Sequence, residues 1–355
     1  MKPERPVFIG EGESTNMLDV LPNKLTLRRI NKKFYPSNGN RAKNTIFKEV
    51  SIKPYQQSEE VTELINRPRK YYTSMEELFD IFKCAIERVW DPTKFHLIGH
   101  SSGVDSRLIS KAIKELGEKN GDDWLGEVYY VENGGEGDLF NQIKDIMGFD
   151  GIVYGADTDP RLYNLPFLEF QNHWSKYTGV VAYPLNQWWD GYAQLDLPNN
   201  IQGFTGYGAN ETQTQAVYKD WGYAKYFKWL HGLQLTQWKH YGGDWEHPFL
   251  DADFLHALQS SGAMYLKRIN VEMSRRMVPE LNHIPHIHTN EITARGYRTV
   301  SDQLLKALYE LYKSSYFGRK YDVTPTPQIT YSKWWFYFNA ASWCQHLIEK
   351  GYTIR

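Results

Sequence analysis

The chain has little cysteine, no excess of either charge and no long apolar run, and each shortage removes a class of protein. Cys84 and Cys344 are the only cysteines among 355 residues, too few for a disulfide framework or a cysteine-rich zinc site. Lys+Arg 41 against Asp+Glu 42 leaves a formal net charge of -1, whereas a protein held to a polyanion by bulk charge would be strongly basic. No apolar stretch approaches the roughly 18 residues of a membrane-spanning helix, and the opening Met1-Lys-Pro-Glu-Arg-Pro6 has no apolar signal region; a soluble, cytoplasmic protein without membrane contact is expected. Also missing is any Gly-x-x-x-x-Gly-Lys-Ser/Thr run, which excludes the Walker form of phosphate loop.

What is present suits a folded protein of one large or two ordinary domains. Hydrophobic residues make up 41% and aromatics 15%, enough to fill a core and interfaces. Residues 1–73 read as short strands and loops broken by Gly, Asn, Ser and Pro clusters, a β-rich N-terminal segment. Within it, Lys24 to Lys48 carries eight basic residues and no acidic one; this is either a solvated strand edge or a contact for an acidic ligand. At Ser74 a helix opens, because Ser74 and Glu77 have capping-box spacing and Leu78, Ile81, Phe82, Ala85, Ile86 and Val89 recur at helical intervals. Cys84 falls inside this helix and is read as core, since free cysteine is often buried. Asp91-Pro92 ends the helix.

Beyond it the pattern alternates. Strands are expected at 95–99, 127–131, 151–154 and 201–205, with helices carrying Leu108, Ile109, Ala112, Ile113 and Leu116, and then 139–147. Such alternation predicts an α/β domain, a parallel sheet with flanking helices, over 74–290. From about Thr212 the chain reads as mostly helical, with 300–314 and 333–350 the clearest segments, so 291–355 is expected as a helical C-terminal extension.

The chemistry concentrates where the strand at 95–99 delivers the chain into Ser101-Ser102-Gly103-Val104-Asp105-Ser106. A strand, a Gly-containing turn and a helix start point backbone N–H groups at one spot, where the helix N-terminus favours an anion. Asp105 cannot bind phosphate directly; its carboxylate suits Mg²⁺ bridging phosphates. The same residues also read as an ordinary capped helix after a strand.

This loop resembles the Ser-Gly-Gly-x-Asp-Ser signature of the PP-loop ATP pyrophosphatases, whose fold is adenine nucleotide alpha hydrolase-like. Three further stretches are similar, in order, to the asparagine synthetase and β-lactam synthetase family. Thr205-Gly-Tyr-Gly-Ala-Asn-Glu211 resembles its Ser-Gly-x-Gly-Ala-Asp-Glu loop, His247-Pro-Phe-Leu-Asp251 its Pro-Phe-Leu-Asp motif, and Lys267, twelve residues before Pro279, its Lys-x-x-Leu-Arg ahead of Leu-Pro. The likeness covers roughly residues 70–285. It implies an AMP-forming ligase that uses ATP and Mg²⁺ to adenylate a carboxylate and passes it to an amine or ammonia. Ser101, Ser102, Gly103, Val104, Asp105, Ser106, Gly206 and Gly208 would then bind ATP and pyrophosphate, Asp105 and Asn210 the metal. Lys267, Tyr207 and Glu211 would be the catalytic side chains.

Four departures qualify the resemblance. Ser102 stands where the family has Gly, and Asn210 where it has a metal-binding Asp; Glu211 is the candidate to compensate. The Arg-x-Lys continuation is missing after Pro279. Tyr207 matches a tyrosine that pairs with a glutamate in β-lactam synthetase, but between Glu211 and Asp244 the only acid here is Asp220, so ring closure is not supported. The related glutaminase uses a cysteine at position 2; Lys2 and the shortness of 1–73 make glutamine hydrolysis in this chain unexpected. The nitrogen would come from ammonia, an amine substrate or an ammonia-supplying partner. Two other readings compete: a PP-loop enzyme adenylating a nucleobase or nucleic-acid carbonyl, and a non-catalytic nucleotide-binding protein.

Other candidates carry less. His283, His286 and His288 cluster, but Pro285 breaks any helix there and no Glu completes a zinc motif. The Gly-rich loop Asn133-Gly-Gly-Glu-Gly137 follows a strand and would line an adenine or ribose pocket, or be an ordinary loop. Trp188, Trp189 and Tyr192 suit an aromatic-lined pocket or core.

Overall fold

The computed structural model describes residues 7–14, 17–28, 45–53, 59–68, 74–100, 102–121, 127–130, 137–149, 153–155, 200–206, 209, 243–260, 269–285, 302–321, 340–341 and 344–355. Near the N-terminus, strands β1 (Phe8–Gly10), β2 (Gly12–Ser14), β3 (Lys24–Leu25) and β4 (Ser51–Ile52) are short, as the Gly- and Pro-broken sequence requires. β1 pairs antiparallel with both β2 and β4. An amphipathic helix α1 (Glu59–Asn66) follows, inside a stretch expected to hold strands and loops alone.

Helix α2 (Met75–Glu87) begins where the capping box places it: the Ser74 hydroxyl accepts from the Glu77 N–H at 3.1 Å. Its inner face is Leu78, Phe79, Phe82, Ala85 and Ile86. Cys84 corrects the expectation for that residue, for it is exposed. At about 100° per residue it sits two positions from Phe82, nearly opposite the buried stripe.

Among the described residues, five parallel strands form the central sheet: β5 (Phe95–His100), β6 (Glu127–Tyr130), β7 (Val153–Gly155), β8 (Ile201–Thr205) and β9 (Gly243–Glu246), in spatial order β7-β6-β5-β8-β9. Helices α3 (Val104–Asn120) and α4 (Gly137–Met147) alternate with the first strands. Strand β9 lies in a stretch read as helical; Gly-Asp-Trp-Glu is a short strand of largely polar sequence that pairs in parallel with the sequence-distant β8. From β5 the chain builds outward to β7, then returns to place β8 on the other side of β5. That reversal is a topological switch point, and ligands of open α/β sheets bind outside the carboxyl ends of the strands beside it.

Past the sheet come α5 (Ala252–Ser260), α6 (Ile269–Met277), α7 (Asp302–Ser314) and α8 (Tyr316–Lys320), so the described C-terminal residues are mostly helical. One continuous core joins α2 to α6 with Ile98 and Phe204 of the sheet. In it Phe82 meets Phe249 and Phe254 at ring-centroid distances of 4.6 and 5.1 Å, which docks the Pro248–Leu250 turn and α5 on α2. At the opposite end of the sheet from the switch-point loops, the Gln202 amide donates to Val89 O and accepts from the Asp91 N–H.

The first and last parts of the chain meet: β10 (Thr353–Ile354) pairs in parallel with β3, and the Tyr321 hydroxyl donates to Arg28 O. Among the described residues no helix is long and apolar enough to cross a membrane.

Candidate functional site

The strand β5 ends in His100, and within three residues the chain has turned into α3. The helix begins at Val104, with Gly103 as N-cap, so Val104, Asp105 and Ser106 form its first turn rather than part of the loop before it. Gly103 makes no side-chain cap to the helix, whose N-terminus follows the carboxyl end of β5 beside the switch point. Ser106 turns its hydroxyl back to donate to Gly103 O at 2.9 Å.

Ser102 adopts φ +50, the left-handed region, and is the only non-glycine residue to do so among the described residues. A side chain there costs roughly 1–2 kcal/mol. The turn is held from both sides. The Ser102 N–H donates to His100 Nδ1 at 3.2 Å, and Ser102 O accepts from Arg107 Nε at 3.1 Å.

His100 is fully buried, its ring 5.3 Å from that of Phe140 and 5.8 Å from that of Phe149. Burial, reinforced by the Arg107 charge, pushes its pKa down to about 3, so the ring is neutral with Nδ1 as acceptor and the proton on Nε2. Arg107, 3% exposed, is a permanent buried cation. Beyond Ser102 it donates to Leu281 O at 3.1 Å, Ile284 O at 3.0 Å and Pro285 O at 2.8 Å. It therefore ties the loop to the turn that follows α6.

The second loop abuts the first. A Cβ on Gly206 would stand 2.8 Å from Asp105 Cβ and 3.3 Å from Ser106 N, so only glycine lets the end of β8 approach the first turn of α3 this closely. Asp105 itself is partly exposed. Asn270, 3% exposed on α6, donates through Nδ2 to Asp105 Oδ1 at 2.6 Å, while the Val271 N–H donates to Asn270 Oδ1 at 3.0 Å. The amide is thus fixed at both ends and orients the carboxylate.

Of the residues expected from sequence, Ser102, Gly103, Val104, Asp105, Ser106 and Gly206 converge on the switch point. Ser101, Tyr207, Gly208, Asn210, Glu211 and Lys267 lie outside the described residues, as do Trp188, Trp189, Tyr192, His286, His288 and the loop 133–136. Asp251 of the Pro-Phe-Leu-Asp stretch is a helix cap, accepting from the Asp253 and Phe254 N–H groups at 3.0 Å each and pairing with Arg88 at 2.6 Å. Among the described residues no three His, Cys, Asp or Glu side chains gather as a metal cluster.

Three residues at the site escaped the sequence reading: His100, Arg107 and Asn270. A signal for two of them existed. Arg107 and Asn270 are polar groups on the inward stripes of their helices, beside Leu108 and Ile269. A polar residue on such a stripe is either paired or functional. No protein-family model matches this chain, and no curated protein matches it.

Proposed function

We propose that the chain is an ATP-dependent, AMP-forming ligase of PP-loop type, which adenylates a carboxylate and transfers the acyl group to an amine or ammonia. The observation that carries this reading is the convergence of Ser102–Ser106 and Gly206 at the switch point, with Asp105 between them. A helix start without a side-chain cap, a buried arginine charge and one oriented carboxylate suit a nucleotide phosphate accompanied by a divalent cation.

The donor set fits Mg²⁺, which is held by one or two carboxylates together with substrate phosphates. Asp105 would hold it, with Asn210 and Glu211 the further ligands that the resemblance implies, and the ion would neutralise charge on the phosphates. The rest of the work falls to the chain. N–H groups of the α3 first turn bind the phosphate oxygens, and Asn270 keeps Asp105 in one orientation. Arg107 adds fixed positive potential where pyrophosphate departs. In the reaction a substrate carboxylate oxygen attacks the α-phosphorus and the bond to the β-phosphate oxygen breaks. The amine then attacks the acyl carbon, AMP leaves, and the nitrogen loses a proton.

The test is product analysis. The full chain is incubated with ATP, Mg²⁺, ammonia or an amine panel and a panel of carboxylic acids. Acid-dependent formation of AMP and pyrophosphate, lost in Asp105→Ala, supports the ligase. ADP and phosphate as products, or no acid dependence across the panel, contradict it.

A further inference from the structure

We propose that His100 is a positioning residue for the phosphate loop: its Nδ1, acting with Arg107 on the other side, holds Ser102 in the left-handed conformation that presents the loop to an anion. This rests on the reading of the loop as a phosphate site, and it adds the device that keeps the loop in its binding shape.

A non-glycine residue at φ +50 relaxes unless its neighbours over-determine it. Both peptide groups flanking Ser102 are engaged. His100 Nδ1 takes the N–H on one side, and Arg107 Nε takes the carbonyl on the other. Neither contact can be lost to protonation near neutral pH. The histidine is buried and kept neutral, and the guanidinium never loses its charge. His100 is itself immobilised between Phe140 and Phe149. Its Nε2 has no hydrogen-bond partner among the described residues. A buried polar ring with one nitrogen unsatisfied is a costly substitute for leucine, and the Nδ1 contact is what this ring does that leucine cannot.

The experiment is a mutant cycle in the full chain. The probe is an ATP analogue with a methylene bridge between the α- and β-phosphates, titrated with Mg²⁺ by calorimetry. His100→Leu removes the acceptor; His100→Asn keeps an acceptor near the position of Nδ1; Ser102→Gly removes the left-handed penalty. With the clamp gone, Ser102 is in the binding shape only a small fraction of the time, so His100→Leu should weaken binding about tenfold. In the Ser102→Gly background the same change should cost only about twofold to threefold, because glycine populates both hands about equally. His100→Asn should stay within about threefold of wild type by the same population argument.

Equal losses from His100→Leu in both backgrounds overturn the proposal, as do equal losses from His100→Leu and His100→Asn. If the wild type binds no analogue, the phosphate reading fails instead. The clamp is then judged by urea unfolding midpoints of the same proteins. His100→Leu must shift the midpoint less in the Ser102→Gly background, and equal shifts overturn it.

Discussion

Replacing Gly206 with alanine tests the contact that brings the two loops together. The new methyl carbon would lie 2.8 Å from Asp105 Cβ and 3.3 Å from both Asp105 C and Ser106 N. Carbon–carbon contact needs about 3.6 Å, so the loop and the first turn of α3 must part by about 0.8 Å. The atoms struck are backbone and Cβ of a helix, not the far end of a flexible side chain. An overpacking cost of about 1–3 kcal/mol is expected. Misplacement by close to 1 Å should weaken Mg²⁺-dependent binding of an ATP analogue by roughly tenfold to a hundredfold. Urea unfolding and calorimetric titration read the two effects separately. If the variant is destabilised yet binds like wild type, the second loop is no part of the site. If neither property changes, the close approach itself is refuted.

Four more outcomes follow from the same geometry. Asn270→Ala removes a buried donor to a carboxylate and should cost about 1.5–3 kcal/mol in urea unfolding while weakening Mg²⁺-dependent binding; unchanged binding would mean that the orientation of Asp105 is irrelevant. Gly318→Ala would drive a Cβ into Tyr312 O and should destabilise the fold by at least about 1–3 kcal/mol, leaving analogue affinity in the surviving folded protein intact. Cys84 should react rapidly with a thiol reagent in the native state, while the buried Cys344, whose thiol burial pushes up, should react only on unfolding; two fast thiols would contradict the burial of Cys344. Lastly, because the His100 pKa falls from 6.5 to about 3 on folding, the unfolded chain binds one more proton between those values. Stability should therefore fall by up to about 1.4 kcal/mol per pH unit as pH drops below 6.5, and His100→Leu should flatten that dependence. An unchanged slope in the variant would refute the assignment.

The sheet and its first loop were legible because each local signal agrees with the fold. An apolar run at 95–99, a glycine, and then Leu108, Ile109, Ala112 and Ile113 at helical spacing leave one reading. Strand β9 was not legible, since Gly-Asp-Trp-Glu has neither alternation nor apolar length, and its partner Ile201–Thr205 is far away in sequence. The sequence alone also misplaced Cys84, where the general tendency of free cysteine to be buried outweighed its position on the outer face of α2.

At the site, the residues that could contact a ligand stood in recognisable motifs, whereas those that hold them did not. Arg107 finds its carbonyl partners 174 to 178 residues further on, and Asn270 reaches Asp105 across 165. Such pairings arise from packing α6 against α3, which no local pattern encodes. The left-handed Ser102 is a similar case. It stands where the resembled motif has glycine, and its backbone has taken the glycine conformation under restraint from two neighbours.

The most direct test of the central claim is calorimetric titration of a non-hydrolysable ATP analogue, with and without Mg²⁺, into the wild-type chain and Asp105→Ala. Binding that requires Mg²⁺ and disappears in the variant is the predicted result. No binding by either protein, or equal binding by both with and without Mg²⁺, would contradict it.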